Sequence, residues 1–166
     1  YEKEKSDDWK WFENSVTYSN GNMPEALFYA YEATNDKRYL QAAEESLDFL
    51  SSLVMMKDSM VLIGHNGWYN QGGKRAMYDQ QPVDAASMVD VYLTAYRTTG
   101  NKEYYDKAIL AFNWFFGKNS IGMMIYDEGT GGCYDGLLSN CVNLNQGAES
   151  TVCYLLARLN LDEIKR

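Results

Sequence analysis

Proline and histidine are scarce in this chain: its 166 residues hold two prolines, one histidine and three cysteines. So little proline leaves long stretches free to be helical. Three cysteines are odd in number and lack metal-ligand spacing, which excludes a disulfide framework and a zinc site and makes a reducing cytoplasm the expected location. Missing too is any apolar run near the ~20 residues that cross a bilayer, and no basic, apolar, small-residue signal peptide opens the chain. Cations are outnumbered, 15 Lys and Arg against 23 Asp and Glu, for a net charge of -8. Nucleic acids and anionic membranes need clustered positive charge, so both are excluded as partners.

The composition is that of a folded domain, 46% hydrophobic and 23% charged, without low-complexity segments. Residues 1–166 fit a single domain. An internal repeat organises it. AYEATNDKRYLQAAEESLDFL (30–50) lies without gaps on AYRTTGNKEYYDKAILAFNWF (95–115). Each copy reads helix, tight turn, helix, and the turns TNDK and TTGNK supply the Asn, Asp and Gly that end one helix and cap the next. The first helix of each pair is apolar on more than one face. The second, over Lys37–Val54 and near Lys102–Gly117, is amphipathic. A further helix, near Gln146 onward, resembles the first member of a pair.

Two long connections separate these units, MVLIGHNGWYNQGGKRAMYDQQ (60–81) and IGMMIYDEGTGGCYDGLLSNCVNLN (121–145). Each holds a short β-like run, glycines and polar residues, and their Trp, Tyr and Met content predicts packed loops. Helices apolar all round belong to an inner layer and amphipathic ones to an outer layer. The fold expected is therefore all-α, an α/α toroid of about two and a half helical hairpins, with short β-like segments in its loops. That is part of an (α/α)6 barrel, so the chain is a fragment of a longer protein or is completed by a partner.

The three starts of the inner helices read NMPEA, QPVDA and GAESTV. Each sets a carboxylate, Glu25, Asp84 or Glu149, in its first turn. Acids there favour the helix dipole by ~0.3–1 kcal/mol, so capping alone explains any one of them. Inner helices of a toroid, however, point their starts at one end of a central cavity. Amides (Asn20, Asn22, Gln80, Gln81, Asn143, Asn145, Gln146) and aromatics (Trp68, Tyr69, Tyr78, Tyr126, Tyr134) gather beside these acids. Carboxylates, amides and ring faces together describe a carbohydrate site, since sugars need paired donors and acceptors and a flat apolar contact.

DWKWFENSVTYSNGNMPEAL (8–27), GHNGWYNQGGKRAMYDQQPVDAASMV (64–89) and YDEGTGGCYDGLLSNCVNLNQGAEST (126–151) resemble the closing half of the six-hairpin glycosidase-like α/α toroids. The similarity is greatest to the α-helical proteins found beside, or fused to, bacterial and archaeal glycosyltransferases, and it covers nearly the whole chain. It implies an (α/α)6 toroid with a sugar-binding cleft at the inner-helix starts, and an oligosaccharide or glycan as ligand. Toroids of this kind include hydrolases, lyases, epimerases and proteins without known activity.

Glycoside cleavage needs one protonated and one ionised carboxyl group. The candidates are Asp84, Glu149, Asp79 and Glu25, with Asp84 ionised at its helix start as base and Glu149, if packed near Cys153 and Tyr154, as acid. Candidate substrate contacts are His65, Trp68, Tyr69, Arg75, Tyr78, Gln80, Gln81, Tyr134, Asp135, Asn145 and Gln146. His65 reads equally as a structural residue. Arg75 suits either an anionic sugar group or an ion pair with Asp79. No P-loop or dinucleotide fingerprint is present, and no metal or cofactor is expected. Three functions stay open: a glycan-cleaving or glycan-modifying enzyme, a non-catalytic glycan-binding or scaffolding module working with a glycosyltransferase, and an epimerase-like or protein-binding α/α repeat. A second copy of the chain, a glycosyltransferase or an N-terminal toroid half is the expected protein partner.

Overall fold

A computed structural model describes residues 1–164. Its helices are α1 (Asn22–Thr34), α2 (Lys37–Val54), α3 (Pro82–Thr99), α4 (Lys102–Phe112) and α5 (Ala148–Ile164), and a 3-10 turn over Asn113–Phe115 follows α4. The two repeat copies become the hairpins α1–α2 and α3–α4. Their turns match residue for residue: Asn35 (φ 56°) and Gly100 (φ 72°) are left-handed, and the next residues, Asp36 and Asn101, accept hydrogen bonds from the Arg38 and Glu103 amides. Sequence reading extends the second outer helix to Gly117. The chain instead tightens after Phe112, where Phe115 and Trp114 turn fully into the core.

Layering is visible in burial. In α3, 12 of 18 residues are buried, against 6 of 18 in amphipathic α2, so α3 is the central helix and α2 an outer one. Gly21 rests on Ser87, and Glu25 meets Thr94 further along, so α1 and α3 run parallel. On the other side of α3, Asn160 of α5 donates to Asp90 at 2.7 Å. The inner layer is thus α1, α3 and α5. Phe28, Leu47, Leu50, Tyr92, Trp114 and Phe115 fill the space between the layers with almost no exposure. Val152, Leu155, Leu156 and Leu159 leave an apolar face of α5 exposed.

The strands are two residues long. β1 (Ser15–Val16) pairs antiparallel with β2 (Tyr69–Asn70), and β3 (Gly136–Leu137) pairs with β4 (Val142–Asn143). The β-like run MVLI is not one of them. Met60, Leu62 and Ile63 are buried, with an isolated bridge from Met55 to Met60.

One buried polar link joins the layers: Tyr92 Oη lies 2.7 Å from Ser51 Oγ, whose own hydroxyl reaches the Leu47 carbonyl. Replacing Tyr92 with Phe removes the link while leaving Ser51 a partner. We expect a loss of about 1 kcal/mol in urea unfolding, with the far-UV spectrum unchanged.

Candidate functional site

The first turn of α3 is the organising point. Pro82 occupies the first helical position, and Asp84 follows with 1% exposure. Both carboxylate oxygens are taken: Oδ1 accepts from the Ser19 amide at 2.5 Å, and Oδ2 lies 3.2 Å from His65 Nε2. Desolvation pushes the Asp84 carboxyl above the usual carboxylate range, and the nearby Glu149 charge adds to this. The His65 and Ser19 hydrogen bonds oppose the shift. The sequence expectation of a freely ionised base misses this burial.

Close backbone approach brings these partners in. A Cβ on Gly21 would stand 2.2 Å from the Ser87 carbonyl oxygen, so only glycine lets the segment carrying Ser19 lie against α3. A Cβ on Gly64 would stand 2.1 Å from the Tyr78 carbonyl oxygen, and the 64–68 turn needs that approach. His65 N then donates to the Asp79 carbonyl at 2.9 Å, and Ala76 N to the Trp68 carbonyl at 2.8 Å. Ser19 and Trp68 both sit in the left-handed region, at φ 56° and 55°, which costs a non-glycine residue about 1–2 kcal/mol. The Trp68 ring packs on His65 with centroids 4.3 Å apart, and Tyr18 approaches the imidazole edge-on at 6.1 Å.

α5 delivers Glu149 to the same end of the inner layer. Asp135 receives the Gly147 amide and the Ser150 hydroxyl, both at 2.7 Å, and the Asn145 amide group, thereby capping α5 from a separate loop. Burial works to raise the Asp135 carboxyl, but the Ser150, Asn145 and Gly147 donors outweigh it and hold it below the ordinary range. Glu149 itself is exposed. The burial on which an acid role rests in the sequence reading is absent.

Other candidates are placed differently. Glu25 does not join Asp84: its carboxylate accepts from Thr94 Oγ1 at 2.9 Å and Tyr29 Oη at 3.2 Å. Thr94 lies ten residues, or about 15 Å of helix, beyond Asp84. Gln80 is wholly buried instead of lining a rim. Its Oε1 accepts from the Leu62 amide and the Trp114 indole, and its Nε2 donates to the Met77 carbonyl and Ser120 Oγ. Gln146 and Tyr134 both donate to Asp127, closing the 127–134 loop on itself. Tyr69 packs on Trp9, and Tyr126 stacks on Tyr154. Asp79 meets His65 through its backbone, and Asp79, Tyr78 and Gln81 remain part-exposed. Arg75 forms no ion pair with Asp79; its guanidinium rests 3.4 Å from the Met77 sulfur. Tyr18 and Ser19 escaped sequence reading because one is a surface tyrosine and the other acts through its backbone amide.

A family model described as Glycosyl Hydrolase Family 88 matches residues 1–125. The chain belongs to this family. The match takes in Asp84 and His65 and ends before Glu149. The Uncharacterized protein B0495.5 of Caenorhabditis elegans is 32% identical over 99 residues, 57% of this chain and 13% of that protein. Among solved structures, a glycoside hydrolase family 76 mannosidase, Bt3792 of Bacteroides thetaiotaomicron VPI-5482, aligns at TM-score 0.67 and 15% identity, covering 88% of this chain and 38% of its own. The GH76 alpha-mannanase BT2949 of Bacteroides thetaiotaomicron aligns at 0.67 and 17%, covering 90% and 39%. This chain therefore spans well under half the length of any of these three relatives. At such identities the structural likeness shows the fold, an α/α toroid of six-hairpin glycosidase-like type. Together with the family it makes this a glycosidase-like domain. No helix among the described residues is long and apolar enough to cross a membrane.

Deeper along the inner helices lies a second acidic pair, Glu25 and Asp90. Desolvation raises both carboxyls above their ordinary range. A carboxyl that holds its proton more tightly when folded gives stability below its unfolded value, about 3.9 for Asp, and loses it as pH rises through the folded value. The urea midpoint of Asp90→Asn minus that of the parent is therefore expected to rise on going from about pH 4 to about pH 7. Equal gaps at both pH values refute this.

Proposed function

We propose that this domain binds a glycan at the starts of α3 and α5 and cleaves it, with Glu149 on one wall and the Asp84–His65 pair on the other as acid–base groups. The observation that carries the reading is that Asp84 and Glu149 stand in the first turns of α3 and α5, adjacent parallel helices of the inner layer, in a chain of a glycosyl hydrolase family. Hydrolysis requires one group to take a proton from water while its oxygen bonds the anomeric carbon. Another group must protonate the leaving oxygen as the glycosidic C–O bond breaks. Groups in unlike surroundings divide this labour best. Here one carboxylate is dry and doubly hydrogen-bonded, and the other faces solvent. Trp68 and Tyr18 offer ring faces to a sugar. Asp79, Tyr78 and Gln81, all part-exposed, are the candidates for its hydroxyls, and Arg75, free of any carboxylate among the described residues, suits an anionic substituent.

A second reading is a non-catalytic glycan-binding module working beside a glycosyltransferase, as the sequence resemblance implies. It is favoured by the state of the two acids: both Asp84 oxygens already accept from protein donors, and Glu149 lacks the burial that an acid role would use.

Calorimetry with short oligosaccharides and turnover of 4-nitrophenyl glycosides separate the two. Glu149→Gln is expected to lower kcat by about 10²–10⁴ while Kd stays within about threefold. Binding without turnover in the parent protein selects the second reading. Neither binding nor turnover rejects both.

A further inference from the structure

We infer that the atom this site presents to its ligand for proton transfer is Nδ1 of His65, and that Asp84 is a positioning residue behind it which the ligand never touches. The inference rests on the glycan-acting reading above and changes which residue meets the sugar. Asp84 has no free oxygen: Ser19 holds one and His65 the other, and its side chain is 2% exposed against 21% for His65. Among the described residues Nδ1 of His65 forms no hydrogen bond. Every buried side-chain nitrogen and oxygen there has a partner, so the unpartnered Nδ1 is not fully buried.

The ring's direction is fixed as well. Its backbone amide is tied to Asp79, and the ring packs at a tilt on Trp68 and meets Tyr18 in an edge contact. A neutral imidazole carries one donor and one acceptor nitrogen. When Nε2–H donates to the Asp84 carboxylate, the lone pair is left on Nδ1, beside the aromatic wall where a sugar would stack. Nδ1 accepts a proton from the water whose oxygen bonds the anomeric carbon, Asp84 offsets the imidazolium charge, Glu149 protonates the leaving oxygen as the glycosidic C–O bond breaks, and the imidazolium proton then passes to solvent, from which Glu149 regains one. Glu149 is then the carboxylate that touches the ligand.

His65 is the single histidine of these 166 residues, so long-range proton–nitrogen spectra of this chain contain one imidazole and report its tautomer directly. We expect Nε2–H in the parent protein. Asp84→Asn places an amide N–H against Nε2 and should switch the ring to Nδ1–H. An Nδ1–H parent, or a tautomer unmoved by Asp84→Asn, overturns the inference. With any 4-nitrophenyl glycoside that the parent turns over, His65→Asn should lose at least about 100-fold in kcat with KM within about threefold. Adding Asp84→Asn to it should cost no more than about another threefold. Retained kcat in His65→Asn, or a further 100-fold loss in the double variant, overturns it equally. If Asp84→Asn does not fold, the parent tautomer and the part-exposed His65→Asn variant decide the matter. If the parent turns over no glycoside, hydrolysis as the function fails, and the tautomer alone decides whether Asp84 orients His65.

Discussion

A carboxylate taken out of water must find donors, and the Asp84 carboxylate finds two from separate parts of the chain. Desolvating such a group without partners costs several kcal/mol. The Ser19 amide and the His65 ring therefore bind α3 to the segment before α1 and to the loop before α3. The same demand explains the two glycines. Gly21 and Gly64 allow backbone to lie against backbone where a methyl group would collide, and each precedes or follows a donor to Asp84 by one or two residues. The left-handed residues Ser19 and Trp68 are the conformational cost of that geometry.

Gln80 plays a comparable part for the long loops. Its buried amide joins the backbone at Leu62 and Met77 to the Trp114 indole and Ser120, so segments from both connections share one anchor. Asp135 does the same at α5, supplying from outside the cap that Gly147 and Ala148 cannot provide. Long glycine-rich connections stay ordered because buried polar side chains replace the missing secondary structure as hydrogen-bond partners.

Local regularities were readable from sequence. Asn35–Asp36 and Gly100–Asn101 sit at equal places in the repeat, and both pairs fold alike because a left-handed residue followed by a cap is a short-range requirement. The inner character of α3 follows from apolar residues on every face. The outer helix after Lys102 was overrun because aromatic residues at Trp114–Phe116 continue a helical pattern, while tertiary packing tightens the chain there. The site was only partly legible. Acids in three helix starts are visible in sequence, but how far each helix slides along its neighbour is not, and that offset separates Glu25 from Asp84. Nor can sequence distinguish an amide lining a cleft from one spent inside, which is the difference between Gln81 and Gln80.

The leucine face of α5 bears on how the protein behaves in solution. Val152, Leu155, Leu156 and Leu159 are all about half exposed and follow one helical stripe. Across the rest of the molecule a net charge of -8 keeps copies apart by repulsion. Added salt shortens the reach of that repulsion to within roughly 3 Å at 1 M and leaves apolar attraction unopposed. For the 166-residue chain, dilute salt and a pH well above the isoelectric point therefore favour the dispersed state.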